Sequence, residues 1–419
     1  MQEPQGQSGT EHDGGASRPA RAGVTCSPDG ASRTIADYMA VAVGPYVSDE
    51  LLSSSARDDI RKVAGLLPGT LSDFFGFECA LGDNRASADF LVCCRARHGS
   101  LEKLASGSTQ HGLPSVLQHC PAWQRIQAMA QEWVRPDSLL RDAVHNLWFE
   151  FDINDARSPP QVPNVFIGSH RLRPSGPCHG IEDIGPICAW LTELALPMLA
   201  GRAVDPAVAR QVAKCLNSLP DGAFLFQVGL MLARDLPMTR LCARGLASGE
   251  IVAYLDRLAW PGALGSLAEL LQSLDQIVMR VDLDLDVNDR VLPKVGLECY
   301  VDSEPTSIDA FVAYLVSRKL CTKAKARAIA MWPGIALDEP PSSAQQEQFA
   351  GSAADAAAAP RGVFVRRLHH VKLDFAAAQS VRAKAYLGVH HKEGGAWHGE
   401  QQKVGGHAAQ VRIPVILNG

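Results

Sequence analysis

Two lysines, Lys372 and Lys384, lie on either side of a short turn in the stretch VRRLHHVKLDFAAAQSVRAKAYLGVHH, residues 365–391. Charged and apolar residues alternate on both sides of the turn, which predicts a hairpin of two β-strands with one polar and one apolar face. Both lysines then lie on the polar face. Because like charges that face each other destabilise a sheet by up to about 1 kcal/mol, the pair predicts a site that holds an anion between the two lysines.

The turn of this hairpin determines which residues face each other. A turn centred on residues 377–378 gives three facing pairs: Lys372 with Lys384, Asp374 with Arg382, and His370 with Tyr386. A register shifted by two residues would pair Lys384 with Asp374 or His370 instead. The two lysines would still share a face, because side chains alternate with a period of two.

The same alternation recurs in four other segments of the chain, residues 74–96, 146–168, 223–246 and 278–302. In the last of these, Asp282 and Glu298 lie on one face, and Leu283 and Leu297 lie on the other. The polar faces carry charges of both signs together with Tyr and Trp. That mixture is more typical of a ligand site than of a sheet face in water.

Segments with the apolar spacing of helices separate the hairpins and include residues 113–134, 180–199, 248–260 and 306–320. Hairpins joined through helices do not form the usual parallel α/β sheet, whose helices connect single parallel strands. Five hairpins supply ten antiparallel strands, and closing them into a barrel removes the exposed edges. We therefore predict an α+β fold in which repeated αββα units form a ten-stranded antiparallel β-barrel with a polar lumen, surrounded by helices. Open sheets with one face in water are the alternative.

This order of elements resembles that of the ABBA, or PT-barrel, prenyltransferases, which include aromatic, fungal indole and cyanobactin-peptide prenyltransferases. The resemblance spans about residues 60–391 and rests on the repeated hairpins and on strand motifs of the form Lys-x-Tyr. That form is clear in KAY, from Lys384 to Tyr386, and is supported by VKLDF around Lys372 and by GLECY, which contains Glu298 and Tyr300. It implies transfer of an allylic prenyl group from a prenyl diphosphate to an aromatic or peptide acceptor inside the lumen.

The resemblance also implies roles for residues on the inward faces. The cations expected to bind the diphosphate are Arg95, Arg240, Arg280, Lys294, Lys372 and Lys384. The aromatic side chains expected to shield the allyl cation are Trp148, Tyr300 and Tyr386. Glu78 on the first strand matches the glutamate that orients or deprotonates the acceptor. We expect no required cofactor and no metal ligand, with Mg²⁺ left open.

Acidic residues on the same faces depart from a simple diphosphate pocket. We expect Glu150, Asp152, Asp282 and Glu298 to contact the acceptor. Because carboxylates favour cationic ligands, a second hypothesis is a non-catalytic or divergent barrel that binds a cationic peptide or small molecule in a biosynthetic pathway.

Composition excludes several other classes of protein. The chain has 419 residues and a formal net charge of −5, with its Lys and Arg scattered, which argues against nucleic-acid binding. We find neither the pattern of a signal peptide nor an apolar run of the roughly 20 residues that cross a bilayer. The cysteines form no CxxC pair, which indicates buried thiols rather than disulfides. We expect a cytoplasmic, monomeric enzyme of specialised metabolism.

The distribution of small and polar residues predicts one folded domain with flexible flanks. Residues 1–33 and the Gly- and His-rich tail, residues 392–419, are expected to lie outside the barrel domain, residues 34–391. Residues 337–362 are rich in Ala, Ser and Pro and predict a flexible insertion within that domain.

Overall fold

The structure of the chain is a computed structural model. It describes residues 33–96, 99–106, 113–153, 161–172, 189–234, 236, 238–338, 362–376 and 379–393. Most of the predicted disordered N-terminal segment, of the predicted insertion and of the predicted tail lies outside these residues.

Within these ranges, eleven β-strands form one sheet. Their bounds are β1 Phe74–Ala80, β2 Ala88–Arg95, β3 Val144–Phe151, β4 Asn164–Leu172, β5 Phe224–Leu230, β6 Thr239–Arg244, β7 Arg280–Val287, β8 Val291–Tyr300, β9 Gly334–Asp338, β10 Gly362–Ala376 and β11 Gln379–Glu393. All five predicted hairpins form, as β1–β2, β3–β4, β5–β6, β7–β8 and β10–β11.

Pairing between the hairpins closes the sheet. Strands β1 to β8 pair in chain order, β8 pairs with β10, and β11 pairs with both β10 and β1, always antiparallel. The result is the predicted barrel of ten strands, in which no barrel strand is left at an edge. Strand β9 is an addition that the sequence did not predict, and it pairs only with the outer part of β10, from Gly362 to Arg366.

The register of the β10–β11 hairpin is the one predicted. Lys372 pairs with Lys384, Asp374 with Arg382, and His370 with Tyr386. A bulge between Leu368 and His370 interrupts the alternation. As a consequence, His369 lines the lumen next to His370, although neighbouring residues of a regular strand point to opposite faces.

Helices surround the apolar face of the barrel. They span Ile35–Ala42, Ser54–Ala64, Ser100–Ala105, Ser115–Gln118, Pro121–Val134, Leu140–Ala143, Leu196–Ala200, Pro206–Asn217, Ser248–Arg257, Leu264–Leu274, Pro305–Ser317 and Lys323–Met331, and a π-helical turn spans Trp190–Ala195. No described helix is both long enough and apolar enough to cross a bilayer.

The core lies between these helices and the barrel. Trp123, on helix Pro121–Val134, packs against Phe149 with ring centroids 5.3 Å apart, and Trp332 packs against Phe77 at 6.4 Å. Burying a large apolar side chain contributes about 1.5–3 kcal/mol, so this layer stabilises the barrel and leaves the alternate, polar positions of each strand facing the lumen.

Candidate active site

The lumen has two chemically different ends. The hairpin turns lie at one end, which we call the turn end, and the connections through helices lie at the other, which we call the helix end. A cavity of about 230 Å³ occupies the lumen from its middle toward the helix end. Its wall is formed mainly by the aromatic and histidine rings Phe74, Trp148, Phe166, Phe226, Tyr300, His369, His370 and Tyr386 and by the polar residues Asn146, Glu150, Gln227, Arg240, Arg244, Asp284, Glu298 and Lys372.

Glycines give these rings room on the strands. A Cβ atom on Gly388 would lie 2.6 Å from the Phe74 ring, and one on Gly229 would lie 2.5 Å from the Phe166 ring. Each ring therefore occupies the space that a side chain would take at a glycine of the neighbouring strand. Phe74 in turn meets Trp148 edge to face, with centroids 5.3 Å apart, a favoured aromatic geometry.

At the turn end, the lumen is filled by ion pairs. Arg234 donates to both oxygens of Asp152 at 2.6 and 2.7 Å, and Arg240 donates to Asp286 at 2.7 and 3.1 Å. Arg234 is not on a strand but on a single 3₁₀ turn, Leu232–Arg234. These bidentate contacts are the strong form of arginine–carboxylate recognition and join separate hairpins of the barrel.

The two lysines predicted to hold an anion, Lys372 and Lys384, each contact carboxylates of the protein. Lys384 donates to Glu78 at 2.5 Å and lies 3.8 Å from Asp374. Lys372 forms an ion pair with Asp284. Burial alone would lower the pKa of Lys372, and the charge of Asp284 raises it above its ordinary value. Both lysines are thus cationic and already have anionic partners.

Lys372 reaches Asp284 because of a glycine. Lys372 is on β10 and Asp284 is on β7, and β8 lies between the two strands. A Cβ atom on Gly296 of β8 would be 2.5 Å from the Cε atom of Lys372 and 3.1 Å from the Cβ atom of Asp284. The bare backbone at Gly296 therefore lets the lysine stem pass over β8.

Arginines line the helix end. Arg244 and Arg280 share one carboxylate, that of Asp282, at 2.7 and 2.9 Å. Their guanidinium groups also flank Tyr300, with Arg280 3.9 Å and Arg244 6.0 Å from its ring centroid, within the range of cation–π attraction. Arg95, close to Asp73 at 3.3 Å, completes the group. All three side chains are partly exposed, between 32% and 42%.

The structure brings together some of the predicted site residues and separates others. The cavity is lined by all three aromatic residues predicted to shield the allyl cation, Trp148, Tyr300 and Tyr386. Four predicted charged residues also line it: Arg240, Lys372, Glu150 and Glu298. Five other predicted residues lie in the lumen beside the cavity. Four of them are in the ion pairs described above, namely Glu78, Lys384, Asp152 and Asp282, and Lys294 lies 3.9 Å from Asp286. Their functional roles remain predictions.

Four residues of this region had no predicted functional role: Arg234, Arg244, His369 and His370. Arg244 could have been predicted from the sequence, because it continues the inward-facing alternation of Arg240 and Cys242 along β6. The bulge that places His369 beside His370 left no signal in the sequence.

Comparison with known proteins matches the chain to solved structures. No protein-family model matches the chain, and no curated protein matches it. Among solved structures, the apo form of prenyltransferase PriB has a TM-score of 0.45 and 13% identity over 80% of this chain and 90% of that chain. A 5-dimethylallyltryptophan synthase from Streptomyces coelicolor has a TM-score of 0.42, 14% identity and coverage of 84% and 94%. AnaPT from Neosartorya fischeri has a TM-score of 0.41, 10% identity and coverage of 82% and 87%.

The strand pairings of the chain itself define its fold. Five antiparallel hairpins are joined through helices, the polar faces point inward, and β11 pairs with β1. This closed barrel of ten antiparallel strands surrounded by helices is the PT barrel, the fold of the ABBA prenyltransferase superfamily.

Proposed function

We propose that the chain transfers an allylic prenyl group from a prenyl diphosphate to an aromatic or peptide acceptor inside the lumen. A fold alone does not determine an activity, so the proposal depends on the site. The observation that supports it most is that aromatic rings and arginines surround a cavity within the closed barrel.

Each part of this wall suits one part of the reaction. When the bond between the prenyl carbon and oxygen breaks, negative charge grows on the diphosphate and positive charge grows on the allyl group. Guanidinium groups bind phosphate oxygens in pairs, and aromatic faces attract a cation by about 0.5–2 kcal/mol each. Fixed charges and rings in a cavity that excludes water stabilise this separation better than water does.

We assign the diphosphate to the helix end, next to Arg244, Arg280 and Arg95. There two arginines share the single carboxylate of Asp282, so positive charge is in excess. At Lys372 and Lys384, by contrast, each cation has its own carboxylate. The allyl group would then lie against Tyr300 and Trp148, and the compact volume of about 230 Å³ favours a short prenyl chain.

The remaining properties follow from the same hypothesis. We expect transfer without a required cofactor, with Mg²⁺ acting at most on the diphosphate, and a monomer that acts in the cytoplasm on a specialised metabolite. Size-exclusion chromatography with light scattering measures the oligomeric state directly.

Calorimetric titration with dimethylallyl and geranyl diphosphates, with and without Mg²⁺, tests the proposal. We expect micromolar binding, tighter for the shorter chain, and a loss of at least tenfold, about 1.4 kcal/mol, in Arg244→Met and Arg280→Met. Arg61→Met is the matched control, because Arg61 is exposed on helix Ser54–Ala64 and pairs only with Asp58 among the described residues. Binding should be accompanied by formation of a prenylated product from indole or tryptophan.

One result would contradict the proposed function, and another would contradict only the assignment of the diphosphate. If neither diphosphate binds, the proposed transfer of a prenyl group is wrong. Binding that persists in both arginine variants but is lost in Lys372→Ala and Lys384→Ala would keep the prenyl donor but move the diphosphate to the turn end of the lumen.

A second candidate function is the binding of a cationic ligand without catalysis. Lys372 faces Glu298 from β10 but is paired with Asp284, and Asp282 faces Glu298 from β7. The carboxylate of Glu298, at the cavity wall, accepts a hydrogen bond from the neutral hydroxyl of Tyr300 at 2.7 Å. A guanidinium or amine would neutralise it. Titration with agmatine distinguishes the two functions, since saturable binding that is lost in Glu298→Gln, without diphosphate binding, supports the second.

A further inference from the structure

The glutamate that the sequence predicts as the base is poorly placed to accept a proton. Glu78 accepts hydrogen bonds from Lys384 and Tyr386, so both of its oxygens are engaged, and it is not part of the cavity wall. Although burial alone would raise its pKa, the charges of Lys384 and Lys372 lower the pKa of Glu78 to about 2. Such a carboxylate is a weak base at neutral pH.

A second glutamate has the opposite properties. Glu298 lines the cavity, and one of its oxygens accepts the hydrogen of the Tyr300 hydroxyl at 2.7 Å. Its other oxygen, Oε1, lies 3.9 Å from Nε2 of His370. Burial and the charge of Asp284 raise the pKa of Glu298 to about 8, and Lys372 opposes the shift.

His370 is one of a pair of hydrogen-bonded histidines. Its ring stacks on Tyr386 with centroids 4.1 Å apart, and its Nδ1 atom lies 2.7 Å from Nδ1 of His369. Two Nδ1 atoms that share a single hydrogen belong to rings of opposite tautomers. The Nε2 atom of His370 is buried and has no hydrogen-bond partner among the described residues.

Both histidines are neutral in this setting. Burial, His369, Lys372 and two arginines hold the pKa of His370 well below its ordinary value. Burial, the charge of Arg367 and the arginines of the helix end lower the pKa of His369 to about 4. His369 is less deeply buried than His370 and lies toward the exposed arginines, so the pair leads from the cavity wall toward the helix end.

We infer that Glu298 accepts the proton released by the acceptor and that His370 and His369 relay it toward the helix end. The inference rests on the proposed function and replaces Glu78 in the role that the sequence suggested. Its geometric basis is the row formed by Glu298 Oε1, His370 Nε2, the shared hydrogen and His369.

The carbon–oxygen bond of the prenyl diphosphate breaks, and its electron pair leaves with the diphosphate. A carbon of the acceptor ring forms the new bond and loses its proton to the Glu298 carboxylate, which restores the ring electrons. Glu298 passes that proton to Nε2 of His370, the hydrogen between the Nδ1 atoms moves to His369, and His369 releases a proton from its Nε2 atom to solvent.

The pH dependence reflects every charged or titratable group around Glu298. Burial and the carboxylates of Asp284 and Asp282 on β7 favour its protonated form, while Lys372 on β10 and Tyr300 on β8 favour the ionised form. Arg244 on β6, His370 on β10 and Tyr386 on β11 also face it. A raised carboxyl pKa means that the fraction of ionised base grows as pH rises through 8, so product formation should rise over this range and level off only above about pH 9.

The experiment compares two reactions of dimethylallyl diphosphate in the full chain. Release of prenyl alcohol without an acceptor requires no base, whereas prenylation of indole requires one. We expect Glu298→Gln to keep alcohol release within about threefold and to lose prenylated indole by about 10²-fold or more, the usual contribution of a general base. Asp89→Asn is the matched control, since Asp89 is a lumen carboxyl away from the cavity wall, and it should keep both reactions.

His369→Asn tests the relay separately. We expect its rate to fall severalfold and its pH profile to change shape, whereas a purely structural role would lower the rate equally at every pH. Prenylated indole formed by Glu298→Gln at the wild-type rate would overturn the inference, as would an unchanged pH profile in that variant.

A titration keeps the inference testable even if the wild-type chain prenylates nothing, a result that would count against the proposed function. Carbon-13 labelling of glutamate side chains should reveal one carboxyl resonance that titrates near pH 8 and is absent from Glu298→Gln. If the resonance assigned to Glu298 titrates below pH 5, Glu298 is not the base.

Discussion

Replacing Lys372 with Met should destabilise the barrel strongly. The side chains of Lys372 and Asp284 are only 6% and 4% exposed, so the pair is buried. Methionine keeps most of the stem that passes over Gly296 but leaves the carboxylate of Asp284 without its cation. Breaking a buried ion pair in this way costs about 3–5 kcal/mol.

This cost translates into a shift of the melting temperature. Unfolding entropy of about 2.1 cal/mol/K per residue gives about 0.9 kcal/mol/K for a chain of 419 residues. The expected decrease in Tm is therefore about 3–6 °C, measured by circular dichroism at pH 7. The double variant Lys372→Met, Asp284→Leu removes both charges and should regain most of the loss, because replacing a whole buried pair by apolar residues is often neutral.

Lys294→Met is the matched control. Lys294 is also a predicted diphosphate ligand, but its side chain is 43% exposed and 3.9 Å from Asp286, so its removal should cost less than about 1 kcal/mol. A Tm of Lys372→Met within 1 °C of wild type would refute the buried pair. A raised Tm would show instead that Lys372 is an unpaired cation held for an anionic ligand.

Two further predictions concern the same lumen. Burial and the neighbouring Glu78, Glu150 and Asp152 raise the pKa of Asp89 to about 8, above its value in the unfolded chain. The stability that this group contributes is present below about pH 4 and is lost as pH rises to about 8. The Tm measured from pH 5 to 8.5 should therefore fall more steeply in wild type than in Asp89→Asn. Parallel Tm profiles of the two proteins would contradict this prediction. Gly296→Ala should cost about 1–3 kcal/mol by displacing the Lys372 stem. Gly249→Ala, on a helix with open space around its Cβ position, should be neutral or stabilising, and equal Tm values for the two alanine variants would rule out the crowding at Gly296.

The barrel was predictable because its strands obey a period of two. Alternation in the five hairpins fixed which residues face inward, and the position of one turn fixed the pairing of Lys372 with Lys384. The strand β9 was missed because it has only five residues and follows Pro333, so it offers no sustained alternation.

The partners of the charged residues were not predictable in the same way. Lys372 pairs with Asp284 two strands away, a contact that exists only after the sheet has closed and only because Gly296 lacks a side chain. Arg234 reaches Asp152 from a short turn outside the strands. Alternation along a strand specifies a face, and it does not specify which side chains meet across a lumen.

The unequal charge of the two ends has a kinetic consequence. The arginines of the helix end are partly exposed, so their attraction for an approaching anion acts through water and is screened by salt, with a Debye length of about 10 Å at 0.1 M. The pairs of Arg240 with Asp286 and of Lys372 with Asp284 are buried and are screened far less. Raising ionic strength should therefore slow the association of an anionic ligand while the barrel itself persists. The charge difference along the lumen also orients the ligand, because its anionic end is held at the helix end and its uncharged end enters first.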